Sequence, residues 1–70
     1  MAENVQTFVK EYRLQHNMTQ EEVATKIGVS RQSINAIERG RYTPSLLLAL
    51  KFARLFHCPV ENLFILQEAS

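Results

Sequence analysis

An all-α chain of about five short helices is what this sequence predicts, and three observations carry that reading. Apolar residues recur at helical spacing along most of the 70 residues, and no stretch alternates convincingly in the manner of a strand. Gly28 and Gly40 fall just after two of the periodic segments, while Pro44 and Pro59 fall just before two others, so the helix breakers act as punctuation. The composition, 46% hydrophobic and 21% charged, belongs to an ordinary folded chain rather than a disordered or fibrous one.

The first helix is expected to start near Asn4, a suitable N-cap, with Val5, Phe8, Val9 and Tyr12 at i, i+3, i+4 and i+7 making one core-facing stripe. In TQEEVATKIG a second helix opens on Thr19, and Glu22 stands three residues later as its capping-box partner. Val23, Ala24 and Ile27 face inward there, and Gly28 supplies the left-handed stop. The segment GVS is a tight turn whose Ser30 caps a third helix, ended by Gly40. Two short helices joined by about three residues make a helix-turn-helix.

After the loop RGRYT, Thr43 and Pro44 take the cap and first-turn positions of a fourth helix, SLLLALKFARLF. It is apolar on most of its circumference, which predicts a central position. Cys58 and Pro59 restart the chain as a brief fifth helix, PVENLF, whose Val60, Leu63 and Phe64 close the core. The final ILQEAS carries no clear pattern.

Net charge is +1, yet its distribution is uneven: residues 26–43 hold four basic side chains against one acidic, whereas residues 1–25 hold two against four. The third helix lies inside that basic segment. At about 100° per residue, Ile34 and Ile37 point one way, while Gln32, Asn35, Ala36 and Arg39 point the other, flanked by Arg31 and Ser33. That outer face combines forked donors, amides that donate and accept, a small residue that permits close approach, and no carboxylate. Arg can grip guanine O6 and N7, and Gln or Asn can grip adenine N6 and N7, inside a major groove wide enough for a helix. A merely solvated polar face is the competing explanation, and the capped second helix, the short turn and the local charge weigh against it. Glu38 lies at the boundary between the two faces, where it needs a cation; Arg13, near the end of the first helix, is the expected partner in a half-buried pair that specifies geometry more than it adds net stability.

The stretch MTQEEVATKIGVSRQSINAIERGRYTPSLLLALKFARLF resembles the helix-turn-helix family of the lambdoid phage repressors and Cro. It looks most like the compact stand-alone regulators of the xenobiotic-response-element type, and the resemblance runs from about Val9 to Phe64. It implies a repressor-like five-helix fold with the third helix in the major groove of double-stranded DNA. By the same resemblance Gln20 would anchor phosphate and base, Arg31, Gln32 and Ser33 would be first-turn readers, and Asn35 and Ala36 would be the next outward positions. Arg41 and Thr43 match the loop that meets the sugar-phosphate backbone, and Arg13 with Glu38 matches the family's buried ion pair. Leu47 departs from the pattern, standing where these regulators carry a polar residue.

The function expected is a sequence-specific transcriptional regulator, acting as a repressor on an inverted repeat as a homodimer. A chain this short buries only about 60% of the surface its unfolded form exposes, which favours pairing with a second copy. The apolar end of the chain, Val60, Leu63, Phe64, Ile65 and Leu66, is the expected dimer contact, with a short terminal strand as the other reading of its last residues. An antitoxin or adaptor that chiefly grips a partner protein is the alternative function, with Leu47, Ile65 and Leu66 as its footprint.

One unit spanning residues 1–70, with no separate sensor domain, is expected. The longest apolar run, SLLLAL, is far short of the roughly 20 residues that a bilayer demands, and MAENVQ lacks a signal-peptide layout, so a cytoplasmic location is expected. Catalysis, metal and cofactor are not expected: His16 and His57 are distant from each other and from any nucleophile, and Cys58 is a lone thiol that reads as a packing residue.

Overall fold

The computed structural model describes residues 3–68, so both extremes of the 1–70 unit, including the last two residues of the C-terminal region, lie outside the described residues. The elements run β1 (Glu3–Thr7), α1 (Val9–Gln15), α2 (Gln20–Ile27), α3 (Arg31–Glu38), α4 (Leu46–Phe56), α5 (Val60–Leu63) and β2 (Phe64–Glu68). Five helices are present, but the all-α expectation is corrected by a small antiparallel sheet in which β1 pairs with β2, from Thr7 opposite Phe64 to Glu3 opposite Glu68.

That sheet overturns the expected start of the first helix at Asn4. Val5 sits opposite Leu66 in the ladder, and the helix begins only at Val9, after Phe8 at the cap position and with Thr7 Oγ1 accepting from the Val9 backbone N–H at 3.3 Å. The apolar spacing of residues 5–12 suits a helix, but the chain's far end offers backbone partners to residues 3–7. Each ladder bond satisfies a polar backbone group, and Phe8 N–H donating to Leu63 O at 2.8 Å locks the junction.

The middle of the chain follows its local signals closely. Thr19 caps α2 in a complete capping box: its hydroxyl accepts from Glu22 N–H at 3.0 Å and its own N–H donates to Glu22 Oε1 at 2.8 Å. The Thr19 backbone donor, and secondly its nearby hydroxyl, hold the Glu22 carboxyl below the usual glutamate value. Gly28 ends α2 at φ 89°, a left-handed turn that favours glycine, and Ser30 Oγ then accepts from Ser33 N–H to cap α3.

The fourth helix starts two residues later than expected, capped by Ser45 and not by Thr43. Ser45 Oγ accepts from Leu48 N–H at 3.2 Å, leaving Pro44 in the lead-in. Nor is α4 buried all round. Its inner face carries Ala49, Phe52 and Phe56, whereas Leu46, Leu47 and Leu50 are 73%, 62% and 52% exposed. The core is a continuous cluster of Val9, Val23, Ala24, Ile27, Ile34, Ile37, Phe52, Phe56 and Leu63 drawn from all five helices. Against it rest Tyr12, Cys58 and Phe64; burial pushes the Cys58 thiol up, against a smaller lowering from the nearby Tyr12 side chain, as suits a packing residue. His16 is exposed, with its ring 5.2 Å from that of Phe56.

Candidate nucleic-acid interface

Ile34 and Ile37 are fully buried against α2 and the rest of the core, which fixes how α3 is rotated about its axis. Rotation in turn decides what the opposite face presents. Arg31, Gln32 and Arg39 are exposed, and Ser33, Asn35 and Ala36 are half-buried between the inner and outer faces. Among the described residues, no side-chain hydrogen bond engages the head groups of Arg31, Gln32, Asn35 or Arg39, so their donors and acceptors face no competing partner within the chain. Ser33 differs, because its hydroxyl lies 3.1 Å from that of Ser30 and completes the start of the helix.

The loop after α3 is shaped by Gly40 at φ 74°. Arg41 N–H donates back to Ala36 O at 2.9 Å, so the loop leaves the helix in one defined direction with Arg41 and Thr43 exposed beside it. Arg41 and Thr43 thereby flank the end of the same helix whose beginning carries Arg31.

On the other side, three helices meet at one carboxylate. Glu38, at the end of α3, has a side chain only 3% exposed and Arg13 one that is 11% exposed. Arg13 Nε donates to Glu38 Oε2 at 2.7 Å and Nη2 to Oε1 at 3.2 Å, a two-pronged pair joining α1 to α3. The third prong, Nη1, donates to the backbone carbonyl of Met18 at 2.9 Å, tying down the connection between α1 and α2. Gln20, the first residue of α2, donates from Nε2 to Glu38 Oε1 at 3.1 Å. Gln20 and Arg31 both border an open concavity of about 1010 Å³ outside this junction.

The expected pair of Arg13 and Glu38 is therefore one part of a larger knot, and sequence reading missed its other members. Met18 takes part through its backbone, which no side-chain pattern reveals, and Gln20 acts here inside the fold. Lys51 was also missed: its Nζ donates to Ile27 O at 3.3 Å, satisfying a carbonyl at the end of α2.

At the C-terminal end the five apolar residues do not share one surface. Leu63 is fully buried and belongs to the core, which removes it from any contact surface, and Val60 and Phe64 are half-buried. Only Ile65, 39% exposed, and Leu66, 59% exposed, are open, and they alternate to opposite faces of β2.

With this arrangement in view, the sequence profile of the helix-turn-helix family matches residues 9–63, the span from the start of α1 to the end of α5. The chain belongs to the helix-turn-helix family of the Cro/C1 type. An uncharacterised HTH-type transcriptional regulator of Methanocaldococcus jannaschii is 53% identical to it over 60 residues, covering 86% of this chain and 91% of that one. Another, of Bacillus subtilis, is 47% identical over 62 residues, covering 89% and 94%. A cryptic phage transcriptional repressor of Vibrio cholerae is 33% identical over 55 residues, covering 79% of this chain and 50% of its own length. Among solved structures, the restriction-modification controller protein C.AhdI of Aeromonas hydrophila matches with a TM-score of 0.70 at 28% identity, over 76% of this chain and 80% of that one. This helix-turn-helix chain is thus one of a family of DNA-binding transcriptional regulators, not of enzymes. No helix among its described residues is long and apolar enough to cross a membrane.

Proposed function

We propose that this helix-turn-helix protein binds a specific duplex sequence by placing α3 in the major groove, and that it works as a repressor. The observation that carries the reading is the outer face of α3, where Arg31, Gln32, Asn35 and Arg39 hold unengaged head groups beside the half-buried Ala36. Arg31, Gln32, Asn35 and Arg39 read base edges, Ser33 and Ala36 set how closely the helix approaches, and Gln20, Arg41 and Thr43 hold the sugar-phosphate backbone. Positioning contacts then come from the ends of the motif, and reading contacts from its middle.

The protein acts as a homodimer on an inverted repeat, with half-sites about one helical turn, roughly 34 Å, apart. Bound across a promoter, it excludes polymerase from the same DNA. Selection from a randomised duplex pool at about 0.15 M salt, where non-specific binding is weak, tests this directly. Enrichment of an inverted repeat supports the dimeric regulator, and enrichment of a lone half-site supports a monomer. If a folded protein enriches no sequence, the reading fails; the exposed Leu47, Ile65 and Leu66 then favour a protein-binding adaptor or antitoxin.

A further inference from the structure

Glu38 is needed for more than neutralising Arg13. Each of its oxygens accepts from one Arg13 prong, and Oε1 uses a further lone pair to accept from Gln20 Nε2 at 3.1 Å. An ionised carboxylate only accepts hydrogen bonds, so it fixes which end of the Gln20 carboxamide faces inward: the NH₂ end lies against Glu38. One Nε2 hydrogen is used there and the second remains to donate elsewhere. Gln20 is half-buried and stands at the first position of α2, on the rim of the open concavity that Arg31 and Lys26 also line. Glu21 and Glu22 line it as well, so what the rim offers a phosphate oxygen is the spare hydrogen of this neutral amide, with Arg31 and Lys26 on the same concavity.

We infer that Glu38 is a positioning residue for DNA: it holds the Gln20 carboxamide in the orientation that donates to a backbone phosphate, and so locks the phosphate anchor of α2 to the reading helix α3. The inference rests on the DNA-binding function proposed above. Arg13 is what makes the arrangement tolerable, since its guanidinium cancels the negative charge of Glu38 close to the phosphate while Nη1, on Met18 O, holds the approach to α2 in place. Because Glu38 belongs to α3, a shift of the reading helix moves the carboxamide with it. Register on the phosphates and register on the bases are then set by one side chain.

The test is a double-mutant cycle on the full chain, using the duplex selected for the wild-type protein. Glu38→Asp keeps a charge for Arg13 but withdraws the acceptor from Gln20 by one methylene, and Gln20→Ala removes the anchor itself. Each single change should weaken binding about three- to tenfold, the worth of one net hydrogen bond, and the double variant should bind no more weakly than either single variant. The dependence of affinity on salt should stay the same throughout, because a neutral amide releases no counterion. Losses that multiply in the double variant, or a Glu38→Asp protein that binds as tightly as wild type while Gln20→Ala does not, overturn the inference.

Should Glu38→Asp fail to fold, the side-chain amide order parameter of Gln20 in the free wild-type protein decides instead. A value near that of the rigid backbone, about 0.85, is expected, and one as low as that of the exposed Gln32 overturns it. A wild-type protein that selects no duplex at all refutes the functional reading, whereas normal selection with multiplying losses refutes only the role of Glu38.

Discussion

Replacing Arg13 by Met should cost this protein most of its stability, and replacing Glu38 at the same time should return most of it. Glu38 is 3% exposed and takes two of its three hydrogen bonds from Arg13, so Arg13→Met strands a buried carboxylate with only the neutral amide of Gln20 beside it. Breaking a buried pair from one side costs about 3–5 kcal/mol. A chain of this length has roughly 4–10 kcal/mol in total, and each kcal/mol is worth about 4–8 °C in Tm for a domain of this size, so a fall of roughly 12–40 °C is expected. In the double variant Arg13→Met with Glu38→Leu no charge is stranded. What remains missing is the donor to Met18 O and the acceptor for Gln20, about 1 kcal/mol each, so the double variant should lie within about 2 kcal/mol of wild type. Urea unfolding followed by circular dichroism gives both numbers, provided the m-values agree. A loss below about 1 kcal/mol for Arg13→Met would mean that the pair is effectively solvated. A double variant no better than Arg13→Met would mean that lost packing of the arginine stem, and not an orphaned charge, causes the damage.

Three further outcomes are expected. Gln32→Ala should relax base preference at one position of the selected site by about 1–3 kcal/mol, whereas Arg41→Ala should weaken all duplexes alike and make binding less salt-dependent; equal loss of selectivity from both removes the division between reading and positioning. The folded value of Glu22 lies below its unfolded one, so the stability it brings is present above the unfolded value and fades as pH falls through the lowered folded value. Thr19→Ala deletes the hydroxyl of the capping box, and the Glu22 carboxyl, followed by NMR titration, should move back up toward the usual glutamate value; an unmoved titration shows that the hydroxyl plays no part. If the proposed homodimer forms through the open part of β2, Leu66→Glu should reduce the sedimenting mass at micromolar concentration from dimer to monomer, and an unchanged dimer mass refutes that contact.

Legibility in the sequence followed the range of the forces involved. The capping box of α2, the glycine stop at Gly28 and the Ser30 cap of α3 are built from residues two to four apart, so the spacing of their side chains was enough to find them. The same holds for the outward set on α3, because Ile34 and Ile37 dictate the rotation of so short a helix. At α4 the expected cap is displaced: Thr43 and Ser45 both precede the apolar run, and it is Ser45 whose hydroxyl accepts from Leu48 N–H. The exposed leucines of α4 show a related failure, since a helix that is apolar on most sides reveals how much could be buried and not how many neighbours arrive to bury it.

By itself, then, the sequence determined the helix-turn-helix, the two-faced third helix and the residue types that it offers to a groove, because each depends on periodicity and caps within one or two turns. The tertiary structure decided the rest. It made residues 3–7 a strand, because their backbone partners lie at the opposite end of the chain and a hydrogen-bond ladder outweighs a local preference for helix. It also brought Arg13 and Gln20 to the Glu38 carboxylate, and Met18 O to the third prong of Arg13, a knot that exists only once the helices have packed.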